Sequence, residues 1–474
     1  MAALADDLLF AGIRELSEKL RKRELSPVEL TEAYLTRADS IGAALGAYAT
    51  VTRDLARAQA KQAEAEIAAG SWRGPLHGIP YAAKDLLAVR WYPTTWGAAP
   101  LASQKLPYDA TIIGKLTEAG AVLLGKAAMI ELAGGLGYRF PSASATGAAK
   151  NPWNRARWTC GSSSGSGAIV AAGLATFALG SETWGSILCP SSHCGVTGLR
   201  PTYGRVSRHG AMPLSYTLDK LGPLARSAED CAIVLAAIAG HDDADESSLP
   251  QAEAQFAWPP QHAPALAHLR IGWVPQQGKG GPPAVEAACK AAVETLRKAG
   301  ATVETVAIPD GPWVAATTTI LWSEAGSSLR PLIDSGKVAA LADPLARIGG
   351  YLCETIPAAD FVHAQRVRLV AQKKMEALFQ RFDVLAGPSV GEPAWPLDAN
   401  LEKVGDQPDP LGCLGNLCGL PAINVPCGFT SDKLPIGLQL VGRALDDHAV
   451  VAAAMHLQSR SDWHKRRPPV VPPE

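Results

Sequence analysis

A string of small residues, Gly161-Ser162-Ser163-Ser164-Gly165-Ser166-Gly167, runs straight into the apolar stretch Ala168-Ile169-Val170-Ala171-Ala172. Glycine and serine are poor core formers, and glycine loses more backbone freedom on folding than any other residue. A disordered linker would not carry an apolar helix directly behind its glycines, so the string reads as an ordered loop feeding a helix. A strand-like run follows near Ala175 to Leu179, then a second tight loop, Gly180-Ser181-Glu182-Thr183-Trp184-Gly185-Ser186. The same alternation occurs upstream. Ile79 to Lys84 is a short apolar run fit for a buried strand, Ala110 to Ala119 has helical periodicity and stops at Gly120, and Ala121-Val122-Leu123-Leu124 is strand-like again. Strands alternating with helices call for an α/β fold with a largely parallel sheet covered on both faces.

The flanks fit around this centre. Residues 1–70 read as helical: Ser26-Pro27-Val28-Glu29 is a capping box with proline at the first helical position, and a second helix runs from about Arg53 to Ala69. The least ordered segment is expected between His241 and His268, rich in Asp, Glu, Gln, Pro and Ala. Beyond it, Arg270 to Val274 reads as a strand and Ala284 to Lys298 as an amphipathic helix, although 241–380 as a whole looks less regular than its surroundings. Strand-like runs return at 423–426 and 436–441 before a last helix near 447–457. No repeat is evident, and His241 to His268 could separate a core from an appended αβ portion.

Composition removes several classes. A chain with 47% hydrophobic and 19% charged residues is neither disordered nor collagen-like. The longest apolar stretch, Ala168 to Leu179, is too short to span a bilayer. A net charge of −1 gives no basic face for nucleic acid, and Lys465-Arg466-Arg467 reads as a solvated end. The nine cysteines are scattered without a CxxC pair, which suggests reduced, mostly buried thiols in the cytoplasm.

Three places carry chemistry. Lys84 ends an apolar strand, where lysine is rare unless paired. A snorkelling side chain is the plain explanation; a desolvated amine that works as a neutral base near pH 7 is the functional one. Ser186, preceded by Gly185, follows a strand end, where open α/β sheets place ligands, and its oxygen can sit among several backbone N–H groups. The Gly161 string also holds Gly161-x-Ser163-x-Gly165, a match to the nucleophile elbow that so serine-dense a string produces easily. A Ser-His-Asp enzyme needs a well-placed histidine, and His77, His193 and His209 read as structural or surface residues. Two serine-glycine loops with one apolar-flanked lysine fit a lysine-based serine hydrolase better.

Together these segments resemble the amidase signature family. Pro75-Leu76-His77-Gly78-Ile79-Pro80 with Lys84-Asp85, Gly161-Ser162-Ser163 with Gly165, and Gly185-Ser186-Ile187 are similar to its lysine, glycine-serine and nucleophile segments. Gly198-Leu199-Arg200-Pro201-Thr202, Asp219-Lys220-Leu221-Gly222-Pro223 and Gly419-Leu420-Pro421-Ala422 continue the pattern. The resemblance implies one domain over residues 1–474, built on a single large mixed, mainly parallel twisted sheet with helices on both faces. It implies Ser186 as the acylated nucleophile, Ser162 as a relay behind a cis peptide bond, and Lys84 as the base. The backbone N–H groups of Thr183, Trp184, Gly185 and Ser186 would form the oxyanion hole. No cofactor and no metal is implied.

Departures from the family pattern bear on substrate. Glu182 stands where Asp is usual, Trp184 where Gly is, Leu188 where Arg is, and Cys160 and Ser164 at glycine positions. Leu188 cannot bind a substrate carboxylate as an arginine does. Trp184 and Leu188 as substrate contacts therefore point to a small-molecule apolar or aromatic amide, anilide or carbamate, with ester hydrolysis as a side activity. The expected partner is that small molecule, with neither nucleic acid nor membrane; a homodimer stays open. The alternative is an amidotransferase A-type subunit that acts with partners on aminoacyl-tRNA.

Overall fold

The apolar runs become strands because residues buried on both faces of a sheet have no polar side to show. The computed structural model describes residues 4–260, 265–276, 281–404 and 409–469. Among these, the strands are β1 (Tyr48–Val51), β2 (Pro80–Lys84), β3 (Val122–Ala127), β4 (Lys150–Asn151), β5 (Asn154–Trp158), β6 (Phe177–Glu182) and β7 (Thr197–Arg200). They continue as β8 (Lys220–Ala225), β9 (Arg270–Trp273), β10 (Thr302–Thr305), β11 (Val384–Pro388), β12 (Ala422–Phe429) and β13 (Pro435–Gly442). One large mixed sheet takes the order β1-β3-β2-β6-β8-β7-β12-β13-β11-β9-β10, and β4 pairs with β5 apart from it.

Two parallel trios flank the centre. β3, β2 and β6 run parallel, as do β10, β9 and β11, while β8, β7, β12 and β13 join them through antiparallel pairings. Parallel neighbours end at the same edge of a sheet, so the C-terminal ends of β2 and β6 lie side by side. Those ends are Lys84 and Glu182. The helix Ser164–Ala171, buried along its whole length, packs against this trio. A side chain at Gly165 would meet the carbonyl of Ala47 at 2.3 Å and the amide of Ala128 at 2.4 Å, so glycine is needed for the close approach.

Among the described residues two large apolar cores result, with a small third one of Ile130, Ala143, Trp158 and Cys160. The larger underlies the N-terminal trio and its helices, including Pro27–Arg37, whose cap Ser26 accepts hydrogen bonds from the N–H groups of Val28 and Glu29 as expected. The second is built around Trp313, Ile320, Phe379, Leu411 and Leu414. Of the stretch 241–380, residues 261–264 and 277–280 lie outside the described residues. The remainder includes β9 and β10 joined by the helix Pro283–Lys298, followed by the helices Trp313–Ser328, Pro344–Cys353 and Ala358–Phe379. Among the described residues no helix is long and apolar enough to cross a membrane. In the basic tail Lys465, Arg466 and Arg467 are exposed, as expected of a solvated end, with Arg467 paired to Asp7 at the surface and lying over the Phe10 ring.

The cysteines depart from expectation. Cys160 and Cys189, 29 residues apart, form a disulfide, and the seven others are free and buried. The sequence holds no hint of this pair because the two sulfurs meet only where the loop before Ser162 packs against the helix Leu188–Cys194.

Candidate active site

Lys84 is fully buried at the end of β2. Its Nζ lies 2.7 Å from Ser162 Oγ and 2.9 Å from Ser181 Oγ. Burial disfavours the ammonium and pushes its pKa from 10.5 down to about 7, against the opposing pull of Asp219 and Glu182. The plain explanation of a snorkelling lysine is thereby removed, since this amine ends among hydroxyls and not in water.

The Gly161–Ser162 peptide bond is cis. Ser162 and Ser163 are buried, and their neighbours separate them. Ser162 faces Lys84. The Ser163 hydroxyl donates to the carbonyl of Ser181 at 3.3 Å and accepts from the N–H of Ser181 at 3.4 Å, so it bolts the loop to β6. No histidine among the described residues bonds to either serine: His77 pairs with Glu66, His193 Nε2 meets the carbonyl of Glu392, and His209 is exposed beside Tyr108. The nucleophile-elbow match at Ser163 has no support in this geometry.

Ser186 sits half-buried on the turn after β6, and its hydroxyl has no hydrogen bond among the described residues. Gly185 before it takes a φ of 79°, a left-handed backbone that glycine adopts at no cost. Glu182 holds this turn. Its Oε2 accepts the N–H groups of Ile187 at 2.8 Å and Leu188 at 3.0 Å, while Oε1 accepts from Arg200 at 2.6 Å and from Asn416 at 3.0 Å. Burial alone would raise the Glu182 pKa, but the charges of Arg200 and Lys220 and these hydrogen bonds bring it down to about 2. The hydroxyl of Thr183 is likewise fixed, donating to Asp219 at 2.6 Å.

Among the described residues, the backbone N–H groups of Thr183, Trp184, Gly185 and Ser186 donate to no protein acceptor. Backbone donors without a protein acceptor, in a turn that carries a serine, are the kind of group an oxyanion hole uses. Trp184 and Leu188 both pack against the second core, with Trp313, Ile320 and Phe361. That core is drawn mostly from residues 274–441. A cavity of about 300 Å³ reaches Ser181 and Thr183 and is walled by Leu86, Met212, Leu214 and Leu221. Neither Trp184 nor Leu188 lines it, and none of Lys84, Ser162 and Ser186 does.

Sequence reasoning missed Ser181, Arg200, Asn416 and Lys220 as members of this neighbourhood. Ser181 had a signal, its place between Gly180 and Glu182 in the second loop. Lys220 stands opposite Glu182 in the ladder between β6 and β8, is buried, and its ammonium has no hydrogen-bond partner among the described residues. Burial and the charge of Arg200 drive its pKa far down.

A family model described as Amidase matches residues 29–451. The A subunit of glutamyl-tRNA(Gln) amidotransferase from Moorella thermoacetica is 37% identical, over 98% of this chain and 99% of that protein. Its counterpart of the same name from an Azoarcus species is 38% identical, over 97% of this chain and all of its own length. Among solved structures, native peptide amidase from Stenotrophomonas maltophilia superposes with a TM-score of 0.81 at 31% identity, covering 98% of both chains.

Proposed function

The chain belongs to the amidase signature family, and on that premise we propose that it is a serine hydrolase cleaving C–N bonds of amides, anilides or carbamates through an acyl-enzyme on Ser186. The observation that carries the reading is a fully buried amine, neutral above about pH 7, held 2.7 Å from the hydroxyl of Ser162. Lys84 takes the proton of Ser162 as Ser162 takes that of Ser186, and Ser186 Oγ bonds to the substrate carbonyl carbon. The carbonyl electrons move onto oxygen, which the N–H groups of Thr183, Trp184, Gly185 and Ser186 hold. The C–N bond then breaks, its electron pair leaving on nitrogen with the proton returned along the same path. Water, deprotonated by the same relay, releases the acyl group and restores Ser186.

The wall beside Ser186 supports an apolar or aromatic substrate. Trp184 is half-buried one residue before Gly185 and packs against the second core, while Leu188 is buried within that core and has no donor for a carboxylate. A chromogenic anilide such as 4-nitroacetanilide tests the reading on the purified chain. Ser186→Ala should lower turnover on the order of 10⁴-fold or more, and Ser163→Ala should retain measurable activity. Loss through Ser163 with Ser186 dispensable would remove the proposal.

A second reading is an amidotransferase A-type subunit that works with partners on aminoacyl-tRNA. Identity of 37–38% along whole relatives of that name supports it, and more strongly than it supports the free-standing hydrolase. Ammonia released from glutamine only when partner subunits are added, with no activity on anilides, would favour it.

A further inference from the structure

We infer that Cys160, Cys189 and His193 form a binding site for a thiophilic divalent cation such as zinc, available when the Cys160–Cys189 disulfide is reduced. The two sulfurs and a ring nitrogen of His193 all lie within 4.8 Å of one another. Cys189 and His193 are four residues apart on the helix Leu188–Cys194, so they project from one face. Cys160 approaches from the loop that precedes Ser162.

His193 points to a ligand. It is fully buried, and its ring packs edge-on against Trp395 with centroids 4.9 Å apart. Nε2 meets the carbonyl of Glu392 at 3.2 Å. A carbonyl only accepts, so the proton sits on Nε2 and Nδ1 keeps its lone pair. That Nδ1 has no hydrogen-bond partner among the described residues. A disulfide has no proton to offer it, so the oxidised site leaves a buried acceptor unanswered, whereas a cation would answer it. A carbonyl behind a histidine ligand is also how metal sites fix the ring and its tautomer. Burial favours the neutral imidazole that ligation requires, lowering the His193 pKa to about 4.

Two thiolates and an imidazole suit zinc, with water in the fourth position. Zinc–sulfur bonds of about 2.3 Å place two sulfurs about 3.8 Å apart in a tetrahedral site, so the bonded sulfurs need only part by side-chain rotation. A dithiol reductant supplies two electrons and two protons, breaking the S–S bond to give two thiols while it closes to its own disulfide. Zinc then displaces both thiol protons. Cys189 is half-buried and gives the ion a way in. Because Cys160 lies two residues before Ser162 and Cys189 three after Ser186, the ion would replace the disulfide as the tie between the Ser162 loop and the helix that follows Ser186.

The full chain, reduced with dithiothreitol and desalted without air, is titrated with cobalt(II). Thiols counted in denaturant should rise from seven to nine, and one cobalt per chain should bring a thiolate-to-cobalt charge-transfer band with tetrahedral visible bands. The oxidised protein should give neither band. His193→Ala should weaken cobalt binding at least about ten-fold, and Cys160→Ser should abolish the band. Cys289→Ala, removing a thiol 3.7 Å from Cys427, should leave it intact. Nine thiols with no band, a band indifferent to His193→Ala, or a thiol count fixed at seven after reduction would each overturn the assignment.

Discussion

Lys84 is the residue on which the proposed chemistry depends. An amine with a pKa near 7 is protonated below that pH and inert as a base. kcat/KM should therefore climb about ten-fold per pH unit through the acid range and level off above about pH 7. Stopped assays on an anilide from pH 5 to 10 check this; an acid-side limb that persists unchanged in Lys84→Ala would assign it to another group. Lys84 was legible because an apolar strand does not end in lysine without a reason. Its second partner, Ser181, was not: one serine in a serine-rich loop carries no sign of what lies beside it, and 97 residues separate it from Lys84.

At the scale of the element, the turn after β6 is held by a buried carboxylate. Glu182 has its pKa depressed from 4.5 to about 2. A depressed carboxylate stabilises the fold above its unfolded value and loses that contribution as pH falls from about 4.5 towards 2, a loss of roughly 3 kcal/mol. Glu182→Gln should flatten that acid dependence and cost about 3–5 kcal/mol at neutral pH, because Arg200 is left buried without its counter-charge. Urea unfolding of both proteins between pH 2.5 and 7 measures it, and equal stabilities would contradict the role given to Glu182. The replacement of Asp by Glu at 182 and of Arg by Leu at 188 could be seen in the sequence. Their accommodation could not, since Arg200 and Asn416 reach Glu182 from 18 and 234 residues away. The disulfide between Cys160 and Cys189 escaped notice for the same reason.

For the whole molecule, a single sheet threads both large cores: the larger takes residues from strands β2 to β13, and the second takes Leu385 of β11, Ala422 of β12 and Val441 of β13. Such continuity predicts one cooperative unfolding transition; two resolved heat-capacity peaks in calorimetry would show the cores melting apart. The α/β class and the helix-covered sheet were legible from the alternation of strand and helix periods. The order of strands was not, because whether β8, β7, β12 and β13 pair antiparallel depends on where the chain returns from, and no local period records that.

The proposed reactive groups, Lys84, Ser162 and Ser186, all come from the first half of the chain, whereas the apolar core that Trp184 and Leu188 join is drawn mostly from residues 274–441. Diversity in accepted molecules can thus be selected on surfaces that never touch the proton path. Libraries randomised at Trp313, Ile320 and Phe361 would explore new chemistry while inheriting a working engine.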